Sequence, residues 1–459
     1  MENLFDYIDQ NRERYREYWF NGLRIPSVSA EKKHKPDMLR MAEYLLRFLR
    51  EELKFEGRLI EGEGNPLVYA ESPAVEGAPT VLLYGHYDVQ PADPLDLWKS
   101  DPFEPEIRGE NVYARGADDD KGQIFAHLSG IKALMEREGR LPIRIKCIFE
   151  GEEEVGSDHL FAFLHGPEGK ELLAADLIVV SDNTMAGPGQ PAITYGLRGV
   201  IGFEVFFHGP NRDLHSGIYG GSVCNPALAL SRALAGLMDE KGKIQIPGFY
   251  DGVRAITDQE HSVIAQVPFD EEQAKKDLGV SAFFGDPDYT IMERRCARPS
   301  FDINGLTSGY QGEGGKTIIP SWASVKFTLR VVPDQNVEKI IQATEDFFRA
   351  QVPSGIRMDF HRQQGAEGMV VPLESPYVAV ASHVLETVHG KKPLFVRDGG
   401  SITIVAELWK VLNADLLMIG LGLDEDAIHS PNEHFSLDCF YNGIKTGAQL
   451  WTELAKMKK

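Results

Sequence analysis

Five short polar clusters in this 459-residue sequence carry histidine, aspartate and glutamate in an arrangement suited to metal-assisted hydrolysis. The clusters are GHYD (85–88), ARGADDDKG (114–122), EGEEEVGS (150–157), SDN (181–183) and IHSPNE (428–433). Neutral imidazoles and carboxylates are the ligands that a borderline cation such as zinc prefers. Each cluster follows a predicted strand or lies in the loop after it, and open α/β sheets bind ligands outside the carboxyl ends of their strands. Together the clusters predict a hydrolytic metal site at one edge of a sheet.

Each cluster taken singly also has an ordinary structural interpretation. An isolated His86 is more often a hydrogen-bonded structural histidine than a ligand, and ADDDKG is more often a solvated turn. EGEEEVGS would usually be an exposed helix start, because glutamate is favourable in a first turn. SDN is a common cap, and IHSPNE is an ordinary loop. Their joint placement after apolar strands favours the metal site, because burying several acids without cations is costly.

Apolar runs that alternate with helical patterns must position these clusters. VLLY (81–84), IRIKCIF (143–149) and DLIVV (176–180) have the length and composition of buried strands, and a helical pattern covers Ile124 to Met135. At the end of the first run, His86 and Asp88 are two residues apart and point to the same side of an extended chain. The alternation predicts an α/β catalytic domain with a mainly parallel sheet flanked by helices.

The pattern changes after residue 197. ASVKFTLRVVP (323–333) alternates in period two, which is typical of an antiparallel strand with one solvated face. Asn225 before Pro226 predicts a helix start, and Asp334 is expected to begin another helix in the same way. We therefore expect a catalytic domain at 1–197, an inserted α+β lid or dimerisation domain at 198–370, and the rest of the catalytic domain at 371–459.

The composition excludes several classes of protein. The formal net charge of -21 and the pI near 5.1 argue against nucleic-acid partners, which are bound through clustered Lys and Arg. No apolar run approaches eighteen residues, so no membrane partner is expected. The four cysteines are far apart and form no C-x-x-C pair, which favours a reducing cytoplasmic location.

Ten motifs in order along the chain resemble the two-metal exopeptidase family of carnosinase-type dipeptidases, aminoacylases and glutamate carboxypeptidases. The motifs are GHYDVQP, ARGADDDKG, EGEEEVGS, SDN, YGLRG, DLHSG, KTIIP, TLRVVP, GGS and IHSPNE. The chain is most similar to the carnosinase and non-specific dipeptidase branch. Two residues depart from that pattern: Asp118 adds an acid that could affect the choice of metal, and Asp398 replaces a frequent glutamate.

The resemblance implies two divalent metal ions per subunit, zinc in the first place, with manganese or cobalt as alternatives. It makes His86 and Asp182 the ligands of one ion and Glu154 and His429 the ligands of the other, with Asp119 bridging both. Three carboxylates largely offset two divalent charges, and a water between the ions would have a lowered pKa.

The resemblance also implies the roles of several other residues. Glu153 would be the general base, and Asp88 would orient His86. His215 would stabilise the oxyanion from the opposite subunit of a homodimer. The substrate's free carboxylate would be bound by the groups Thr317, Arg330, Gly400 and Ser401.

The expected activity is therefore metal-dependent hydrolysis of the peptide bond in dipeptides that have a free C-terminal carboxylate. Hydrolysis of N-acyl or N-carbamoyl amino acids by the same site is the alternative, because composition does not decide what the pocket accepts on the amino side. A non-catalytic binding protein is disfavoured, because all five ligand positions and the base are intact.

Overall fold

The computed structural model describes residues 4–363 and 365–457. Its strands are β1 Glu56–Ile60, β2 Leu67–Glu71, β3 Thr80–His86, β4 Glu106–Arg108, β5 Asn111–Tyr113, β6 Arg144–Glu150, β7 Leu177–Val180, β8 Ala192–Leu197, β9 Gly199–His208, β10 Leu214–His215, β11 Ser300–Ser308, β12 Ile318–Ile319, β13 Trp322–Val331, β14 Arg357–Arg362, β15 Met369–Val370, β16 Leu394–Asp398, β17 Asp415–Ile419 and β18 His434–Ser436. Its α-helices are α1 Leu4–Gln10, α2 Arg12–Leu23, α3 Lys35–Arg47, α4 Lys121–Glu138, α5 Asp158–His165, α6 Gly169–Leu173, α7 Ser216–Tyr219, α8 Pro226–Ala235, α9 Asp258–Ile264, α10 Glu271–Leu278, α11 Ile291–Cys296, α12 Val337–Gln351, α13 Pro376–His389, α14 Thr403–Leu412 and α15 Leu437–Leu454. Shorter helical turns lie at Lys32–His34, Phe48–Glu52, Leu95–Leu97 and Glu153–Val155.

The largest sheet has the strand order β1-β2-β6-β3-β7-β17-β8-β15, and β16 also pairs with β8. The central strands β6, β3, β7 and β17 run parallel, whereas the pairs β1–β2, β2–β6, β17–β8 and β15–β8 are antiparallel. The predicted α/β class, with a parallel sheet at its centre, is confirmed.

Both faces of this sheet are buried under helices. On β3, Val81 and Leu83 enter an apolar cluster shared with α2, α3, α4, α13 and α15. The alternate residues Leu82 and Tyr84 enter a second cluster shared with α5, α6 and α14. This double burial explains why the strand is a continuous apolar run rather than an alternating one.

Helix α4 begins directly beneath the carboxyl ends of the central strands and packs closely on α15. A side chain at Gly130 would meet the main chain of α15, with the Ile444 oxygen 2.7 Å away. Glycine therefore allows the two helices to approach, and this fixes the position of the loop that precedes α4.

A second sheet lies in the segment between β8 and β15, with the antiparallel order β11-β13-β9-β14. On β13, Val325 and Phe327 pack with α8 and α12, whereas Lys326 is exposed. The Asn225 side chain accepts hydrogen bonds at the start of α8, as predicted. The prediction for Asp334 was wrong: the capping side chain of α12 is Asn336, which accepts from the Lys339 N–H.

The inserted segment leaves and rejoins the large sheet at neighbouring points. Leu197 at the end of β8 pairs with Met369 on β15. The expected division after residue 197 falls between β8 and β9, whereas residues 369–370, assigned to the insert, pair with the large sheet. We refer to residues 198–368 as the lid.

Among the described residues, no helix combines the length and apolar content needed to cross a membrane.

Candidate metal centre

The candidate ligands lie together because four parallel strands end side by side. His86 is the last residue of β3, Glu154 follows β6, and Asp182 follows β7. His429 lies in the loop after β17, and Asp119 precedes α4. Residues from widely separated parts of the sequence therefore meet at the carboxyl edge of the sheet, where such folds bind ligands.

Asp119 stands between two groups of candidate ligands. Its Oδ1 lies 3.0 Å from Nε2 of His86, and that nitrogen is 3.9 Å from Oδ1 of Asp182. Its Oδ2 lies 2.9 Å from Nε2 of His429, which is 3.3 Å from Oε2 of Glu154. Within each group the ligand atoms lie within 4.8 Å of one another. All five predicted ligands are thus brought together, with the two oxygens of Asp119 turned toward different groups.

The donor set fits two divalent cations. Nε2 of His86 is buried and, despite the 3.0 Å distance to Asp119, has no hydrogen-bond partner of acceptable geometry. Burial raises the pKa of Asp182 to about 6, and the charges of Asp119 and Glu154 act in the same direction. Hydrogen bonds to Asp119 and Glu154 raise the pKa of His429 to about 10. The cluster therefore draws positive charge to its nitrogens, and cations would replace those protons.

Asp88 connects the ends of β3 and β6. Its carboxylate accepts hydrogen bonds from the main-chain N–H groups of Glu153 and Glu154, each at 3.2 Å. Nδ1 of His86 lies 3.1 Å from the main-chain oxygen of Asp88 and 3.4 Å from its Oδ1. The turn after β3 thus places the main-chain carbonyl of Asp88 nearest to the imidazole of His86. The Asp88 carboxylate instead holds the loop that carries Glu154.

Sequence reasoning missed two acids that hold the ligand loops. Asp120 accepts the main-chain N–H of His86 at 3.1 Å. The fully buried Glu433 accepts the N–H of Asp119 at 3.3 Å and forms an ion pair with Arg115 at 2.6 Å. Both acids lie inside motifs already singled out, but their partners are distant in sequence.

Gln90 was also missed. Its side-chain amide donates a hydrogen bond to Oε2 of Glu154 at 2.7 Å, the oxygen that also faces His429. The signal available in the sequence was its place in GHYDVQP, four residues after His86. Asp118, by contrast, belongs to neither ligand group, and its Oδ1 accepts from Gln123 at 2.9 Å.

Glu153 lies beside the ligands without belonging to either group. It begins a short helical turn, and Asp88 holds its main-chain N–H. Burial raises the pKa of Glu153 well above its usual value, and the neighbouring charges of Asp182 and Glu154 act in the same direction. A carboxyl group in this state can hold a proton and release it.

Three of the four expected carboxylate-binding groups meet where the lid joins the large sheet. The Arg330 guanidinium donates to the Ser401 hydroxyl at 2.7 Å, and that hydroxyl donates to the main-chain oxygen of Arg198. The Gly400 oxygen accepts from the Arg198 N–H at 3.2 Å. We call Arg330, Gly400 and Ser401 the clamp.

Asp398 connects the clamp to the metal centre. Its Oδ1 accepts the N–H of Gly400 at 2.8 Å, and its Oδ2 accepts from the side-chain amide of Asn183 at 3.4 Å. Asn183 directly follows the candidate ligand Asp182. The loop that carries a ligand and the loop that carries the clamp are therefore joined through one carboxylate.

His215 and Thr317 belong to another part of the lid: His215 ends β10, and Thr317 directly precedes β12, its partner strand in a small sheet. The main-chain oxygen of Thr317 accepts a hydrogen bond from the Ser216 N–H at 3.1 Å, so Thr317 lies beside the residue that follows His215. His215 is exposed, and its Nδ1 accepts from the Gly217 N–H at 3.0 Å. Within the described residues, no hydrogen bond or ion pair joins either side chain to the ligands or the clamp.

Comparison with known proteins assigns the chain to a family. Residues 82–453 match the model of peptidase family M20/M25/M40. The chain is 31% identical to the Cys-Gly metallodipeptidase dug1 of Schizosaccharomyces pombe, over 100% of this chain and 99% of that protein. It is 30% identical to the human Beta-Ala-His dipeptidase, over 100% and 93% respectively.

Solved structures give the same result. The di-peptidase Dug1p from Saccharomyces cerevisiae superposes with a TM-score of 0.87 at 28% identity, covering 99% of this chain and 98% of that one. The M20 family metallo-carboxypeptidase Sso-CP2 from Sulfolobus solfataricus gives 0.89 at 30% identity, covering 96% and 99%. Because the family match spans every strand end that carries a candidate ligand, this chain belongs to peptidase family M20/M25/M40 and is a metallopeptidase.

Proposed function

We propose that this protein hydrolyses the peptide bond of dipeptides that carry a free C-terminal carboxylate. The observation that carries the proposal is the link through Asp398 between the loop of Asp182 and the clamp. A group that recognises a carboxylate is thereby held at a fixed place relative to the metal ligands. Such an arrangement selects short substrates, since the chain end and the scissile bond must be reached together.

His86, Asp119, Asp182, Glu154 and His429 would hold the two cations, zinc in the first place, with manganese or cobalt as alternatives. When bound, the ions supply a water of lowered pKa and polarisation of the scissile carbonyl. The Glu153 carboxylate would accept a proton from the attacking water and deliver it to the leaving amine. The Asp88 carboxylate keeps Glu153 in place by accepting a hydrogen bond from the main-chain N–H of Glu153.

The clamp would bind the substrate's carboxylate. Arg330 is partly buried and already donates to Ser401, so its planar guanidinium is oriented before substrate arrives. A guanidinium can form two parallel hydrogen bonds to one carboxylate, which favours a free chain end over an amide.

We also propose a homodimer in which His215 and Thr317 act on the opposite subunit. His215 is exposed and would donate a hydrogen bond to the developing oxyanion. Large apolar side chains stay exposed on three lid elements: Ile218 and Tyr219 on α7, Leu228 on α8, and Ile303 and Leu306 on β11. Strand β11 is also an edge strand. Exposed apolar residues and an open edge support contact with another chain, and light scattering that finds an active monomer would refute the dimer.

We also propose a reducing, cytoplasmic location, on the basis of the cysteines. The four cysteines are free thiols, and Cys147, Cys296 and Cys439 are buried. Unpaired buried thiols are typical of proteins from reducing compartments.

The function is tested with a substrate panel. Metal-reconstituted protein is incubated with matched dipeptides, tripeptides, N-acetyl amino acids and C-terminally amidated dipeptides, and the products are followed by mass spectrometry. We expect rapid cleavage of free dipeptides and refusal of amidated ones. Preference for the N-acetyl amino acids would instead show an amidohydrolase that uses the same site.

A further inference from the structure

A cavity of about 360 Å³ lies against strand β11 of the lid and is rich in arginine. Its lining includes Arg198, Arg294, Arg295, Arg298, Tyr250 and Phe284. Two acids, Asp286 and Asp302, also line it. Arginines therefore outnumber carboxylates, and aromatic surface surrounds them.

The cavity adjoins the clamp. Ser300, which lines it, pairs with Arg330 across the β11–β13 ladder. Residues opposite each other in an antiparallel pair project to the same face. Ser300 and Arg330 therefore share a face, and the cavity lies one strand outward from the guanidinium of the clamp.

Arg198 belongs to both places. Its main-chain oxygen accepts from the clamp residue Ser401, while its guanidinium donates to Ser300 Oγ at 3.4 Å and to the Arg298 oxygen at 3.2 Å. The YGLRG motif thus connects the group that would hold a backbone carboxylate with the wall of the neighbouring cavity.

The positive charge in the cavity is poorly compensated. Among the ion pairs formed by the described residues, none includes Arg198, Arg294 or Arg298, while Arg295 pairs with Asp424 at 3.7 Å. Arg298 stacks on Tyr289, its guanidinium carbon 4.2 Å from the ring centre. Burial and the nearby charge of Arg330 lower the pKa of Arg198 to about 10. Partly buried guanidinium groups without counter-ions favour an anionic ligand.

We propose that this cavity binds the acidic side chain of the substrate's C-terminal residue, so that dipeptides ending in glutamate or aspartate are the preferred class. Arg330 holds the main-chain carboxylate, Arg294 and Arg298 bind the side-chain carboxylate, and the rings of Tyr250 and Phe284 contact its methylene groups. The inference rests on the proposed dipeptidase function, because that function places the C-terminal residue at the clamp.

The test compares Ala-Glu with Ala-Gln, which have nearly the same shape but differ in side-chain charge. The wild type should cleave Ala-Glu with a kcat/KM about tenfold higher, as expected for charge-assisted hydrogen bonds. Arg294→Gln and Arg298→Gln should each reduce that ratio, and Arg298→Lys should retain part of it. Arg349→Gln is the matched control, because Arg349 is exposed on α12 and pairs with Glu345; its ratio should equal that of the wild type.

A binding measurement separates this inference from the dipeptidase proposal. Calorimetric titration of the zinc-loaded protein with free glutamate and glutamine requires no turnover. If no dipeptide is cleaved but glutamate binds more tightly and Arg298→Gln removes the difference, the dipeptidase proposal fails and the cavity assignment stands. Equal binding of the two amino acids overturns the assignment. So does a Glu/Gln ratio that survives both Arg294→Gln and Arg298→Gln in proteins shown by circular dichroism to be folded.

Discussion

The candidate metal centre and the small sheet β10–β12 of the lid hold their candidate functional side chains in opposite ways. At the centre, His86 is 1% exposed and Asp119 is 8% exposed, and their main-chain N–H groups donate hydrogen bonds to two further acids, Asp120 and Glu433. Near the small sheet, His215 and Thr317 are exposed, and among the described residues the hydrogen bond to the His215 imidazole comes from Gly217, in its own helix start. The centre is therefore preorganised within one chain, whereas the lid groups would acquire a defined environment in the proposed dimer.

The largest expected effect tests the preorganised centre. Glu153→Gln preserves the shape of the side chain but removes its ability to accept a proton. We expect kcat to fall by about 10³-fold with unchanged metal content, measured by steady-state kinetics and atomic absorption. Glu152→Gln is the control, since Glu152 binds the main chain of Asn65 and His159 instead; its kcat should stay near that of the wild type. Undiminished activity of the Glu153 variant would refute the assigned base.

The next effect tests the lid. His215→Ala should lower kcat by about 10²-fold, because one donor to the oxyanion is lost. Mixing it in equal amounts with Glu153→Gln should restore about a quarter of wild-type activity, since half of the dimers in a two-fold assembly then contain one complete site. A double variant carrying both changes, mixed with His215→Ala, should restore nothing. Absence of restoration after confirmed subunit exchange would show that His215 does not act in trans.

An effect of similar size is expected where the two regions meet. Arg330→Met should lower kcat/KM for free dipeptides by about 10²-fold through loss of charge-assisted hydrogen bonds, while metal binding is retained. Lys326→Met removes a charge from the same face of β13 at an exposed position and should have little effect. If both variants discriminate equally against amidated dipeptides, the guanidinium does not recognise the carboxylate.

The smallest effect concerns Gln90, whose side chain donates a hydrogen bond to the candidate ligand Glu154. Gln90→Ala should weaken binding of a metal ion by about tenfold, because the orientation of Glu154 is no longer fixed. Competition with a chromophoric chelator measures the affinity. Gln190→Ala is the control, since Gln190 donates to the Lys392 oxygen in a distant turn. Equal affinities in the two variants would mean that Glu154 does not require this hydrogen bond.

Most of the fold and the place of the candidate metal centre could be predicted because apolar runs reveal buried strands and the polar clusters follow those runs. The choice of the five candidate ligands within those clusters came from the family resemblance. Partnerships between loops could not be predicted. Glu433 was visible as an acid, but its burial depends on Arg115, which is more distant in sequence than any local pattern can indicate. His429 has a φ of 61°, a left-handed backbone that its sequence does not signal.

Local sequence patterns also did not show which of two possible capping side chains begins helix α12. Asp334 and Asn336 can each cap a helix, and the chain uses Asn336 because Asp334 has a φ of 71° and turns the chain before the helix begins. The positions of His215 and Thr317 could be predicted only as members of lid motifs. In the proposed dimer, the surface that these two residues contact belongs to the opposite subunit.

The insertion of the lid between two paired strands bears on the order in which the chain acquires structure during synthesis. The sheet β11-β13-β9-β14 finds all its strand partners between residues 199 and 362. By contrast, β7 pairs with β17, in which Asp415 lies opposite Leu177, and α4 packs on α15. Neither contact can form until the later element has been synthesised. On the ribosome the lid can therefore complete its sheet while the hydrolytic centre still lacks His429 and its covering helix. A nascent chain thus has no assembled metal centre until His429 and helix α15 have emerged.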